Sequence, residues 1–402
     1  MPYRFCLLVL LLGLSIVFSN ASAVGLTPDA QSTLIRGTLP NGLRYIILPR
    51  QSPKANVSLR LIVQAGSLDE HDDERGFAHF VEHMAFKGTK NFPPGTVRAF
   101  FETLGLTFGA DLNANTSYTH TKYLLDLPSN KASHLDEALI LLRDYADGQL
   151  FAPDEVNQES RVVISELNAR DNAGKRTSLD RLNTIYAGTL ITNREVGGLS
   201  EQISSATAEQ LRAFYRRNYS PARVTLVVVG PVDPALVSAK ITRRFGSMSA
   251  AAESVAPYAS IDPPVEGIKS TVITAPTFTS TLTEFHFVAS RPPDNAEGHR
   301  EELMQHLALL VLGRRLADKR ERDLSHYSKP AINSDQPSFS PGFVHHSIQL
   351  GTPAGDWSDA VQFIETELRR GREGFTQAQI NEALAGELNW LSERRSSMAE
   401  QC

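Results

Sequence analysis

The spacing of hydrophobic positions changes period along the chain, and each change marks an element. Leu43 to Leu48 and Val57 to Val63 are short runs rich in Val, Ile, Leu and Tyr, which predict strands. Asn41-Gly42 is a tight-turn pair just before the first run, so a hairpin with Leu34-Ile35 is expected. Gly76 to Phe86 predicts a mostly apolar helix, with Gly88 as its stop. Pro93-Pro94-Gly95 reads as a turn, and Thr96 caps a short helix through Leu104. Tyr123 to Leu127 predicts a strand. Leu135 to Ala146 and Asp154 to Ala169 carry helical periodicity, with Pro153 at the first turn of the latter. Thr207 and Gln210 have the spacing of a capping box. Val224 to Val229 is mostly continuous apolar sequence and predicts a central buried strand.

A second set of elements follows. Thr271 to Thr274, Glu284 to Ala289 and Val344 to Leu350 predict strands, and Glu301 to Ala317, Trp357 to Leu368 and Gln377 to Leu391 predict helices. Between the sets, residues 248–267 are rich in Ala, Ser and Pro without periodicity and read as a linker. The second set echoes the first. The expected fold class is therefore α+β, with two related sheet-and-helix domains over 30–247 and 268–402. The second set lacks a counterpart of Val224 to Val229, so that domain is expected to be truncated or to belong to something larger.

Composition adds limits. Of 402 residues, 41% are hydrophobic and 21% charged, ordinary for a globular chain with sizeable cores. The formal net charge of -5 and the lack of a basic stripe argue against a nucleic-acid partner. At the start, Arg4, an apolar run from Phe5 to Phe18 and then Ala21-Ser22-Ala23 have the layout of a signal peptide over residues 1–23. The run is short for a membrane span, so no stable span is expected after its removal. Export to a periplasm is the expectation, with secretion as the other outcome. The two cysteines are Cys6, which would leave with the signal, and the terminal Cys402. No disulfide within the mature chain is then available.

The chemistry concentrates at His79-Phe80-Val81-Glu82-His83. Histidines four apart on a helix sit about 6 Å apart along its axis on one face and can grip one metal ion. Neutral imidazole suits zinc and neighbouring transition metals, and a catalytic zinc commonly takes a third protein ligand that can be Glu. Glu82 lies near the same face and can reach a water on the metal without ligating. The helix is otherwise mostly apolar, and a buried His or Glu without a partner is costly. Glu159 and Glu166 are the candidates for the third ligand. They are seven apart on one helix face, about 10 Å along the axis, so one would bind and the other would support. Spacing alone does not choose between them. Packing through Val162, Val163, Ile164 and Leu167 would hold this helix in place.

Gly66-Ser67, Glu70 and the run Gly76-Phe77-Ala78-His79-Phe80-Val81-Glu82-His83-Met84-Ala85-Phe86-Lys87-Gly88-Thr89, with Glu159 through Glu166, resemble the M16 family. These are inverted-motif zinc metallopeptidases, such as pitrilysin, insulin-degrading enzyme and the processing peptidases. The resemblance implies zinc held by His79, His83 and Glu166, with Glu159 as the supporting carboxylate and one Zn2+ per chain. It implies that Asn113-Ala114-Asn115-Thr116 is a substrate-edge strand, where Asn113 and Ala114 meet a peptide backbone; read from its residues alone, the stretch could equally be a loop. It also implies a clamshell of two halves, of which this chain is one. The partner half would be a chain extension, a second copy or a different chain. The expected activity is zinc-dependent hydrolysis of peptide bonds in peptides or small unfolded proteins, with Glu82 as general base. Two rivals stand beside it. One is a non-catalytic or half-site subunit that binds peptide and needs a second half. The other is a metal-binding or structural protein without hydrolysis.

Overall fold

The computed structural model describes residues 34–50, 55–103, 105–107, 109, 111–249, 281–323, 327–335, 343–353 and 355–400. The signal segment, both cysteines, residues 250–267 of the linker and the Thr271 to Thr274 strand lie outside the described residues. Among the described residues, 34–176 and 189–249 form one compact unit, and 177–188 with 281–400 form another. No helix among the described residues is long and apolar enough to cross a membrane.

The first unit is built on a six-stranded sheet in the order β1-β2-β6-β3-β5-β4. The strands are β1 (Ile35–Thr38), β2 (Arg44–Pro49), β3 (Val57–Val63), β4 (Leu112–Thr116), β5 (Thr121–Leu127) and β6 (Val224–Gly230). The predicted hairpin forms: β1 pairs antiparallel with β2, and Gly42 supplies the left-handed turn position at φ +92. β6 is parallel to β2 and antiparallel to β3. It is central, as its apolar sequence suggested, but it fully buries only alternate residues. Val224, Leu226 and Val228 are buried, while Thr225, Val227 and Val229 are half-buried. β3 and β5 follow the same alternation, so Leu59, Leu125 and Val228 meet side by side on the covered face.

Helices pack over that face. The helices of this unit are α1 (Phe77–Met84), α2 (Thr96–Thr103), α3 (Ala132–Asp147), α4 (Pro153–Arg170), the start of α5 (Ala173–Ile185), which buries no residue, α6 (Ser200–Ser205), α7 (Ala208–Asn218) and α8 (Pro234–Phe245). Phe77, Phe80, Val81 and Met84 of α1 join Leu139, Leu142 and Tyr145 of α3 and Leu211 and Phe214 of α7 in one core. Each such side chain contributes roughly 1.5–3 kcal/mol of burial. The Thr207 capping box opens α7: Gln210 N–H donates to the Thr207 hydroxyl at 3.2 Å, and Thr207 N–H donates to Gln210 Oε1 at 2.9 Å.

The second unit has a three-stranded antiparallel sheet, β7-β9-β8. Its strands are β7 (Thr281–Ser290), β8 (Ala331–Asp335) and β9 (Phe343–Thr352), and its helices include α9 (Ala296–Asp323), α10 (Trp357–Arg372) and α11 (Gln377–Glu400). Leu312 and Leu316 of α9, Ile348 and Leu350 of β9, and Phe363 and Ile364 of α10 form its core. Both units are mixed α+β. The sequence reading missed β8, α5, α6 and α8; β8 and α5 have no sustained apolar period, and α6 is under two turns long.

Candidate metal centre

α1 is held at its N-terminus before it presents any chemistry. Gly76 caps it at φ +100, and a Cβ there would meet Ile203 Cδ1 at 2.6 Å and Gly198 Cα at 3.1 Å. Only glycine fits both that angle and that space. The buried Glu70 carboxylate accepts from Gly76 N–H at 3.0 Å and Ala78 N–H at 2.8 Å, satisfying two N-terminal donors of the helix. The apolar stripe of α1 then faces the sheet, which leaves His79, Glu82 and His83 on the side toward α4.

Glu166 meets both histidines. Its Oε1 lies 3.9 Å from His79 Nε2 and its Oε2 lies 3.4 Å from His83 Nε2. The imidazoles stand edge to face with ring centroids 4.7 Å apart. One donor atom from each of the three residues falls within 4.8 Å of the others. A tetrahedral zinc with bonds of about 2.0–2.2 Å needs donors roughly 3.3–3.6 Å apart, so the set fits one zinc after small side-chain shifts. Glu159, two turns earlier on α4, instead accepts from His83 Nδ1 at 2.8 Å, and Lys87 Nζ meets its other oxygen at 2.6 Å. Of the two glutamates, Glu166 is therefore the one that faces both imidazoles, while Glu159 meets the Nδ1 side of His83.

The electrostatics suit the same purpose. Burial, helped by the His83 and Arg170 charges, pushes His79 down to about 3, so its ring stays neutral with a lone pair for metal. His79 Nδ1 is buried without a hydrogen-bond partner, which leaves this imidazole poorly satisfied by the protein alone. Burial pulls His83 down too, but its hydrogen bond to Glu159 and the charges of Glu82, Glu159 and Glu166 outweigh it and raise its pKa. Glu159 is also buried, yet its partners His83 and Lys87 hold it below the usual carboxylate range. Glu82 is raised, chiefly by burial. The Thr116 hydroxyl donates to Glu82 Oε2 at 2.7 Å and works against that rise.

β4 carries Asn113, Ala114 and Thr116 and is an edge of the sheet among the described residues. Asn113 is exposed; its amide donates to Gly109 O at 3.0 Å, and its Oδ1 accepts from Ala114 N–H at 2.9 Å. The stretch is a strand rather than a loop. Thr116, Lys87, Glu70 and Arg170 all contact the residues or the helix that carry this site; the sequence placed Thr116 only in an edge strand and Glu70 and Lys87 only in the quoted motif, and it gave Arg170 no role. One available signal was the Glu166–Arg170 spacing of four on a helix, which commonly pairs side chains.

Comparison with known proteins now bears on this geometry. The description "Insulinase (Peptidase family M16)" matches residues 45–197, and "Peptidase M16 inactive domain" matches 205–387. The chain belongs to peptidase family M16. It is 40% identical over 230 residues to the probable zinc protease PqqL of Escherichia coli K12, covering 57% of this chain and 24% of that protein. It is 34% identical over 204 residues to the chloroplastic stromal processing peptidase of Oryza sativa subsp. japonica, covering 50% of this chain and 16% of that one. In structure it resembles the first half of the periplasmic protease PqqL from Escherichia coli, with a TM-score of 0.79 and 28% identity over 91% of this chain and 78% of that one. The matched stretches therefore cover about a quarter or less of the length of these relatives. Its three-ligand set with the adjoining Glu82 is the single-zinc, peptidase-type site of the family.

Proposed function

We propose that this chain is the metal-bearing half of an exported zinc endopeptidase that hydrolyses peptides or small unfolded proteins. The observation that carries the reading is the convergence of His79, His83 and Glu166 beside the buried, deprotonatable Glu82. A zinc ion at this ligand set supplies Lewis acidity, which brings the pKa of a water from about 15.7 toward neutrality. Glu82 takes the proton of the attacking water and later delivers it to the leaving amine. Its raised pKa makes it a stronger base than an exposed carboxylate. Thr116 fixes its Oε2, so that Oε1 is left to move the proton. Glu159 and Lys87 keep the His83 ring aimed with Nε2 forward.

The substrate backbone would add to β4 as an extra strand, with Asn113 and Ala114 at the point of contact. Edge pairing reads backbone groups, which suits a range of peptides. The 30–247 domain would carry the chemistry and the 268–402 domain would support the chamber. A second homologous half would close it, in keeping with the share of the M16 relatives that the chain spans. PqqL is described as periplasmic, and the signal-like start favours the same compartment here.

The test is zinc content together with peptide hydrolysis, measured on the parent and on Glu82→Gln. The variant should keep one zinc per chain and lose turnover by about 10²- to 10⁴-fold. Unchanged turnover in a zinc-loaded variant would remove Glu82 as the base. A second reading is a half-site subunit that binds peptide but stays inactive until the other half joins. The coverage of the relatives favours keeping it. Zinc-loaded parent that binds an unfolded peptide without cleaving it, and cleaves once a homologous half is added, would select that reading.

A further inference from the structure

The second unit gathers positive charge that its own acids do not balance. Arg315, Asp318, Lys319 and Arg322 fall at i, i+3, i+4 and i+7 of α9, so they share one face of that helix. Glu367 and Arg370, one turn apart on α10, meet them, and all of these side chains line a cavity of about 220 Å³. Glu367 anchors the group from a buried position, with 3% of its side chain exposed. Its Oε1 accepts from Lys319 Nζ at 3.3 Å and from Arg370 Nη1 at 3.0 Å, and its Oε2 lies 3.1 Å from Arg315 Nη2.

One carboxylate does not neutralise this set. Arg315 and Lys319 are largely covered, with side chains 18% and 24% exposed, so water screens their charge only in part. Both are held against apolar walls: the Arg315 guanidinium lies over the Phe375 ring at 5.8 Å and Lys319 Nζ over the Phe363 ring at 5.5 Å. Arg322 is exposed, and among the described residues neither it nor Asp318 makes an ion pair. Two other acids on α10 and α11, Glu365 and Glu382, are engaged by Arg369 and Arg314. Four cations therefore face two carboxylates around the cavity, an excess of two positive charges. An arginine brings five N–H donors and a lysine three, more than the Glu367 oxygens can accept. Surplus charge-assisted donors gathered on a concave wall are suited to an oxyanion.

We infer that this cavity is a binding site for a small divalent oxyanion, a phosphate or sulfate group, held by Arg315, Lys319, Arg322 and Arg370. Glu367 fixes three of these cations in place. Arg322, with no ion pair of its own, has its whole guanidinium to give to the ligand. The site lies wholly within the second unit and uses none of the residues at the zinc centre, so it stands or falls apart from the peptidase reading.

The experiment is calorimetric titration of inorganic phosphate into the full chain, with chloride holding the ionic strength constant. It is run on the parent, Arg322→Lys, Arg322→Gln and Arg322→Glu. The parent should bind phosphate saturably, and sulfate should compete where chloride does not. Arg322→Gln removes a charge-assisted hydrogen bond and should weaken binding by about tenfold or more. Arg322→Lys keeps the charge without the planar fork and should fall between that variant and the parent. Arg322→Glu should abolish binding. Without phosphate, all four proteins should share one denaturation midpoint, since position 322 is exposed and unpaired. Added phosphate should raise that midpoint in the parent and leave it in place in Arg322→Glu. No saturable heat above the chloride background, displacement by chloride as effective as by sulfate, or an isotherm unchanged across the Arg322 series would each overturn the inference.

Discussion

Glu82 and His83 are sequence neighbours whose pKa values both rise but for different causes, and each makes a separate prediction. Burial raises Glu82, and the Thr116 hydroxyl is the donor that restrains the rise. A base works above its own pKa, so activity falls as pH drops through it. Thr116→Val removes the donor and should move the acidic limb of kcat/KM to higher pH; an unmoved limb would show that the hydroxyl does not act on the base. His83 is raised because carboxylates surround it, and Glu159 accepts from its Nδ1. A proton on His83 competes with metal for Nε2. Zinc affinity should therefore weaken as pH falls through that raised pKa, with protons released on binding, measurable by calorimetry in buffers of different ionisation heat. His79, held down to about 3, is already neutral in this range and adds nothing to that slope. Glu159→Gln should weaken zinc binding by about 10- to 100-fold, since His83 Nδ1 would lose its charged acceptor and the ring its basicity.

At the scale of elements, the site depends on how firmly α1 and α4 are seated. Glu70 satisfies two N–H groups at the start of α1 from a buried position. Glu70→Ala would strand both and should cost about 2 kcal/mol or more of stability. A denaturation midpoint at the parental value would show that water replaces the carboxylate without loss. The two histidines were legible in the sequence because helical spacing converts directly into a shared face. The third ligand was not legible from spacing, because two glutamates seven apart are equivalent until the angle between α1 and α4 is known; the family resemblance is what assigned Glu166, and the structure brings that residue to the imidazoles. β6 was legible as a central strand, but an apolar run does not reveal that Val227 and Val229 sit on a less covered face. From its residues alone β4 read equally as a loop, because Asn113, Ala114 and Asn115 are poor strand formers and the strand is held by its pairing with β5; only the family resemblance pointed to a strand. Lys87 stood in the quoted motif without a role, because its partner Glu159 is distant in sequence.

For the whole molecule, the chain carries the metal-binding portion of an M16 protein and spans only a fraction of its curated relatives. A second homologous half would make hydrolysis depend on assembly, so activity should track the fraction of paired species seen by light scattering. Activity confined to a monomer of this chain would contradict the need for a second half. The zinc claim itself does not depend on that outcome and has a more direct test. Anomalous diffraction at the zinc edge, on crystals grown with zinc, should place one ion about 2.0–2.2 Å from nitrogen atoms of His79 and His83 and an oxygen of Glu166. An ion bound elsewhere, or a zinc on the two imidazoles with the Glu166 carboxylate turned away, would contradict the account.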